Sequence, residues 1–549
     1  MNPIKHLRYH SKPVNFWLVA AVVAMLLMGT PVYTILTGLL AGPGPYWDHL
    51  RKFLLTDYIV NSLILVVGTS GLALLWGIPT AWFVSTTRFP GRKMLELLLI
   101  MPLSIPTYIM AFTYAGIFDY TGSLQNIIRN IFGVKVVLLD IMNVYGVMII
   151  MSLALFPYVY VIARAAFLTK FRSLIEASQT LGAFSTRTFF QVVLPVSRPA
   201  LVAGVTLVSM EVLNDYGAVK YFGIPTFTTG IFRSWFSYED VQAAVYLSSL
   251  LLLFVFMILL IEKKQRGEER FYSAATAERP LQMEKPNKVR QLIVLTCCAL
   301  PVIFGFAIPV IQLAWWSISS YKSVAHIDLI AAVGNSFMLA VGTATSCVVV
   351  AVLLLFVGRM KNSKIYNWFM KLSTMGYAIP GAVVAIGVLM PLLLIDKQLI
   401  SIFQYFGEID PGLILTGTTV GLLFALTVRF LSVAFNPIES GFEKIGYSLD
   451  EVASTLRANH LSRLTRINLP LLKGALGTAA LLVFVDILKE LPLTLILRPF
   501  NFNTLATRSF ELASDEQIAA AAVPSIIIII TGLIPVYLLN ALITKRSKA

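Results

Sequence analysis

Long apolar runs alternate with short basic stretches along this chain, and that alternation predicts its architecture before any single residue is considered. Nearly uninterrupted apolar segments occupy Phe16 to Leu40, Tyr58 to Val84, Tyr145 to Phe167, Leu247 to Ile261, Leu292 to Trp315, Phe337 to Val357 and Ile518 to Ile543. Most exceed the roughly 20 residues a helix needs to cross a hydrocarbon core about 30 Å thick. Backbone polar groups in lipid must bond within their own segment, so these runs predict an all-α polytopic membrane protein. The pattern gives about 12 spans, near 14–40, 58–84, 95–118, 142–168, 199–218 and 240–261 in one half and near 291–316, 334–358, 366–395, 412–434, 474–494 and 518–542 in the other. The first run follows Lys5, Arg8 and Lys12 but outlasts the apolar core of a signal peptide, so it reads as a retained helix.

Composition agrees: hydrophobic residues make up 57% of the chain and charged ones 13%, against about 25% charge in soluble domains. The net charge of +15 does not imply a nucleic-acid partner, because its carriers sit in alternate connections. They lie at the N-terminus, 88–93, 170–198, 263–290, 359–371, 444–473 and the C-terminus. The positive-inside rule places all of these, and both termini, in the cytoplasm. Cys297, Cys298 and Cys347 lie in apolar runs without ligand-like neighbours and read as packing residues.

The two halves are copies. Asn61-Ser62 corresponds to Asn335-Ser336, Pro106 to Pro380, Glu211 to Asp486, Asp215 to Glu490 and Arg233 to Arg508, all at offsets of 274 or 275 residues. So steady an offset implies duplication, and an even number of spans per copy makes the repeats parallel. The expected organisation is a six-helix half over 1–261, a charged cytoplasmic linker over 262–290 and a second six-helix half over 291–549.

Each half also carries one polar cytoplasmic segment in the same place. In the first it runs Glu176-Ala177-Ser178, Gly182 and Leu194-Pro195; in the second, Glu451-Val452-Ala453 and Leu469-Pro470, with Arg457 at the position of Gly182. Leu174, Ala177, Leu181 and Phe184 have helical spacing, as do Leu449, Val452 and Leu456 around Glu451. A surface helix with one carboxylate suits a groove in a partner; an amphipathic helix resting on the bilayer is the plainer reading.

These segments resemble the EAA loop of permease subunits in binding-protein-dependent ABC importers. The stretches Glu211-Val-Leu-Asn-Asp-Tyr-Gly217, Tyr221 through Arg233, Asp486-Ile-Leu-Lys-Glu-Leu-Pro492 and Leu497 through Asn501 are similar to the fused permeases of bacterial ferric iron importers. The resemblance implies a type I importer transmembrane fold in a bacterial inner membrane, two copies of an ATP-binding subunit using ATP and Mg on the cytoplasmic face, and one external substrate-binding protein. It implies ATPase-coupling roles for Glu176, Ala177, Gly182, Pro195, Glu451, Ala453, Arg457 and Pro470. Ferric iron would then be transported cargo; phosphonate, thiamine and polyamine permeases share parts of the same stretches.

Four acids fall inside apolar spans. Glu211 and Asp215 are four apart, as are Asp486 and Glu490, so each pair is expected on one helical face. Ionisable groups in spans normally face a bundle interior or an aqueous cavity. The pairs either line a central path or serve as caps and ion-pair partners, Lys489 standing beside Glu490. No GxxxxGK[ST] phosphate loop occurs, so the chain is not expected to hydrolyse ATP, to hold a cofactor or to act as an enzyme. An ion-coupled secondary transporter also satisfies twelve spans in two parallel halves, but it has no need of paired docking segments.

Overall fold

The computed structural model describes residues 16–132, 140–170, 185–266, 286–324, 329–361, 363–406, 412–456 and 458–546. Every regular element among them is helical. Among the described residues nine helices are long and apolar enough to cross a membrane, or up to eleven if each of two sharply bent pairs is one span, and a shorter apolar helix lies at Ile518–Ile534.

The first half contains α1 (Phe16–Ala41), α2 (Leu55–Thr86), α3 (Thr107–Phe118), α4 (Val144–Lys170), α5 (Arg198–Asn214), α6 (Phe227–Phe236) and α7 (Val241–Arg266). The second contains α8 (Lys288–Val302), α9 (Ile308–Val324), α10 (Leu329–Lys361), α11 (Gly381–Tyr405), α12 (Thr419–Lys444), α13 (Leu469–Leu488), α14 (Leu505–Ser514) and α15 (Ile518–Arg546). In each half one three-helix core recurs: α2, α4 and α5 pack mutually, and so do α10, α12 and α13. The halves exchange their leading helices. α1 lies against α11 and α10, whereas α8 and α9 lie against α2 and α3. The Tyr114 hydroxyl donates to the Phe304 carbonyl across this second seam.

Several expected spans are broken. The third bends by 94° between Arg92–Ser104 and the segment beginning at Thr107, and the ninth is interrupted by a 3-10 turn, Met375–Ala378, before α11. Pro106 and Pro380 are the N-cap residues of α3 and α11. Proline lacks the N–H that would continue a preceding helix, so each restarts the chain with helix N-termini in mid-span.

The fifth and eleventh spans also end earlier than expected. They stop at Asn214 and Leu488, and Asp215 has extended rather than helical backbone. Glu211 and Asp215 therefore do not share a helical face, and neither do Asp486 and Glu490, since Glu490 also lies beyond its helix. Just upstream, π turns at Phe189–Val193 and Leu464–Asn468 occupy equivalent places before Leu194-Pro195 and Leu469-Pro470. The chain bends by 64° between Val196 and Arg198 in the first copy, where Pro199 follows; Gly474 stands there in the second, and His460–Leu488 runs through as one span.

The Asn-Ser dipeptides do identical work in both halves. The Asn61 amide donates to the Pro225 carbonyl at 3.0 Å and the Asn335 amide to the Asn503 carbonyl at 3.0 Å. Ser62 and Ser336 accept the N–H groups of Phe227 and Leu505. Each seats a threonine capping box, Thr226 with Thr229 and Thr504 with Thr507. Aligning the two caps shifts the offset to 278 residues, because the preceding loop is longer in the second half. Arg233 and Arg508 are consequently not equivalent: Arg233 matches Glu511, and Arg508 matches Gly230. Replacing Asn61 or Asn335 by alanine orphans one carbonyl and is expected to cost about 1 kcal/mol at each site. The losses should add in the double variant, because the two amides share no hydrogen-bond partner. Detergent-solubilised unfolding midpoints check this, and a loss at only one site would break the equivalence.

Candidate functional site

The helix ends created by these breaks surround one cavity of about 100 Å³. Its wall includes the N-terminus of α3, Tyr377 from the turn before α11, the residues following α5 and α13, Tyr158 from α4 and Arg429 from α12. All four acids expected in the spans line it: Glu211, Asp215, Asp486 and Glu490.

Their surroundings separate them into two kinds. Asp215 and Glu490 are buried, with 8% and 5% of their surface accessible, and both are caps. Asp215 Oδ1 accepts the N–H groups of Ala218 at 2.9 Å and Val219 at 3.2 Å, at the start of the short helix Gly217–Tyr221. Its other oxygen accepts the Thr107 hydroxyl. Glu490 accepts the N–H of Leu493 at 3.1 Å, the N–H of Thr494 at 3.0 Å and the Thr494 hydroxyl at 2.8 Å, at the start of Pro492–Leu497. These carboxylates satisfy N-terminal N–H groups that have no partner within their own helix.

Glu490 has a further partner. Arg429 Nη1 donates to its Oε1 at 2.9 Å, both side chains being almost wholly buried. Lys489 does not pair with its neighbour; its ammonium lies 2.9 Å from Asp486. Thr107 thus does for Asp215 what Arg429 does for Glu490. The guanidinium fits because Gly381, the counterpart of Thr107, has no side chain: a Cβ there would lie 1.7 Å from Arg429 Nη1.

Glu211 and Asp486 form the second kind. Both are only partly buried and both sit in the last turn of their helices. Glu211 Oε1 accepts the Tyr377 hydroxyl at 3.0 Å, from the other half. Beside it, Asn214 Oδ1 accepts the N–H of Gly381 at 2.7 Å. These two bonds tie the end of α5 to the start of α11. Among the described residues no group of three or more His, Cys, Asp and Glu side chains is arranged to hold a metal ion.

Sequence reasoning found the acids but missed Arg429, Tyr377, Tyr158, Thr107 and Asn214. Arg429 carried a signal, a lone charge inside an apolar span; the tyrosines, Thr107 and Asn214 carried none.

Of the coupling residues, Glu176, Ala177, Gly182 and Arg457 lie outside the described residues. Pro195 and Pro470 sit in the first turns after the two π turns. Glu451 is exposed on the helix Tyr447–Thr455, Ala453 is buried, and Leu449, Val452 and Leu456 expose apolar surface around the carboxylate.

Comparison with known proteins places this arrangement. The family described as "Binding-protein-dependent transport system inner membrane component" matches residues 73–266 and 348–549. The Fe(3+)-transport system permease protein FbpB 2 of Haemophilus influenzae is 26% identical over 534 residues, covering 96% of this chain and 98% of that protein. The ferric transport system permease protein FbpB of Actinobacillus pleuropneumoniae is 22% identical over 503 residues, covering 86% and 68%. The sulfate transport system permease protein CysT of Salmonella typhimurium is 30% identical over 176 residues, covering 32% of this chain and 62% of that protein. Two family segments spanning most of the chain, in a multi-pass helical architecture, lead to one conclusion: the chain belongs to the inner membrane components of binding-protein-dependent transport systems, the non-catalytic permease subunits of ABC importers.

Proposed function

We propose that this permease carries ferric iron across a bacterial inner membrane, along a path that passes the cavity between its halves. Family membership implies partnership with an ATP-binding subunit and a substrate-binding protein. In our reading the twelve spans form parallel halves, 1–261 and 291–549, joined by the linker 262–290, with both termini cytoplasmic. Two ATPase copies would dock at the segments around Glu176 and Glu451, Gly182 and Arg457 giving the two contacts different shapes, and one binding protein would dock outside.

The observation that carries the cargo assignment is the lining of the cavity, where four acids face two cations, Arg429 and Lys489. Such a surface attracts cations, and carboxylate oxygens suit hard ones. The nearly full-length similarity to the Fe(3+)-transport system permease protein FbpB 2 supports the same cargo. Sulfate is the second reading, favoured by the partial similarity to sulfate permeases and by the two cations. Both cations already face carboxylates, however.

Alternating access then has a local description. The bonds from Tyr377 to Glu211 and from Gly381 to Asn214 join the halves in the closed state, and ATP-driven movement of the motors biases the equilibrium towards a state in which they part. The test is uptake into proteoliposomes holding the permease and its ATPase. ATP and binding protein loaded with radioactive ferric iron should both be required, and Glu211→Gln should lower the rate at least tenfold while ATP hydrolysis continues. Entry of sulfate without iron under the same conditions would replace the cargo.

A further inference from the structure

Lys489 stands where the first half has Asn214, and the two have opposite roles. Asn214 bonds to the backbone of the other half; Lys489 pairs with Asp486 on its own half and keeps 29% of its side chain accessible. It lines the cavity together with Glu211, Asp486, Tyr158 and Tyr377, and Glu211 and Tyr158 lie within its electrostatic reach. Tyr108, with 4% of the residue accessible, lines the same cavity, and its buried hydroxyl has no hydrogen-bond partner among the described residues.

We propose that Lys489 is a tethered counter-cation of the translocation path, holding the position between Asp486 and Glu211 that a hard trivalent cation takes during transport, with the phenol oxygens of Tyr158 and Tyr377 completing the contact. The inference rests on the cationic-cargo reading above and deepens it by naming the contact residues and their selectivity device.

The physical argument is one of charge. An empty path lined by acids would accumulate whatever cations were abundant, and the attraction between two charges grows in proportion to each. An ammonium on a short tether competes at high effective concentration. A monovalent ion offers the carboxylates no more charge than Lys489 already supplies, so it does not displace the side chain. A trivalent ion offers three times as much and does. The ammonium then swings away and, as it returns, assists release, which a conducting site must permit. Glu490 is not available for this contact, since Arg429 and two backbone N–H groups hold it, and Asp215 is likewise engaged by its cap.

The test measures binding without transport. Terbium(III), a luminescent trivalent probe sensitised by nearby tyrosine, is titrated into nanodiscs holding the full chain with its ATPase subunits. Lys489→Asn, which installs the residue of the first half, and Lys489→Gln should each tighten terbium binding at least tenfold over the unaltered complex. Adding Glu211→Gln should abolish that gain. Glu211→Gln alone leaves the pair of Lys489 with Asp486 intact, so it is the arm least exposed to misfolding, and it should weaken binding tenfold. Equal affinity in the unaltered complex and both Lys489 variants, or no loss with Glu211→Gln, overturns the proposal. Failure of the iron reading shows separately, in the uptake assay, because terbium binding needs no ATP, no binding protein and no particular cargo.

Discussion

Replacing Arg429 by methionine is expected to destabilise the permease by about 3–5 kcal/mol, the cost of removing one partner from a buried ion pair. The size follows from the surroundings. Arg429 and Glu490 have only 6% and 2% of their side chains accessible, so water cannot replace the guanidinium. Glu490 would keep its bonds from Leu493 and Thr494 while carrying a negative charge with no nearby counter-ion. Glu490→Gln in the same background should recover part of the loss, because the buried charge is gone and the single amide oxygen can still accept the two Thr494 bonds, while the bond from the Leu493 N–H is lost. Unfolding midpoints of the detergent-solubilised single and double variants give the measurement. If R429M melts with the unaltered protein, the pair is not structural, and Arg429 becomes a candidate for cargo contact instead. The matching change in the first half, Thr107→Ala, removes a hydroxyl rather than a charge and is expected to cost about 1.5–3 kcal/mol, the range for a hydrogen bond to a charged group.

Gly376→Ala is the second change with a large expected effect. A Cβ at Gly376 would stand 2.1 Å from the Val428 carbonyl oxygen and 3.2 Å from the Arg429 Cα. Both belong to the backbone of α12, which cannot step aside as a flexible side chain would. The turn Met375–Ala378 must therefore lift from α12 and take Tyr377 with it. Overpacking of this kind typically costs about 1–3 kcal/mol. The functional consequence is separate, since the Tyr377 hydroxyl leaves Glu211 and a bond between the halves is lost. Tyr377→Phe removes the same hydroxyl without moving the backbone. G376A should thus share the transport defect of Y377F and add a lower melting point; normal melting together with normal uptake would show that the turn has slack the geometry does not reveal.

The two acid pairs illustrate how one sequence pattern divides into different physical roles. All four carboxylates occur at the same offset in the two copies, and all four reach the same cavity. Asp215 and Glu490 are held by helix N-termini and contribute to its frame. Glu211 and Asp486, one turn earlier, have fewer partners and face the open space. The frame is common to both copies while the groups beside it differ, neutral Thr107 and Asn214 on one side and the cations Arg429 and Lys489 on the other. The resulting electrostatic asymmetry leaves the first half as the more acidic wall.

What the sequence by itself determined is local or periodic. Apolar runs report helices because each helix satisfies its own backbone, whatever surrounds it. The recurring offset of 274 or 275 residues reports duplication because it is a property of the chain alone, although the three-residue longer loop before the second capping box, which ends the match of Arg233 with Arg508, shows only in the structure. The breaks at Pro106 and Pro380 are local too, since the missing N–H acts on the residue's own turn. Its errors arose where a distant partner decides. Asp215 was expected on the face of Glu211, yet the N–H groups of Ala218 and Val219 draw it out of the helix. Lys489 stood beside Glu490 in sequence, but the helical turn brings it to Asp486, while Glu490 finds Arg429 61 residues away. Tyr377 and Glu211 are 166 residues apart, Gly381 and Asn214 167. Which side chains meet across such separations depends on how the halves interlock through their exchanged leading helices. Packing of that kind leaves no periodic trace along the chain, so only the tertiary structure decided which acids frame the cavity and which face it.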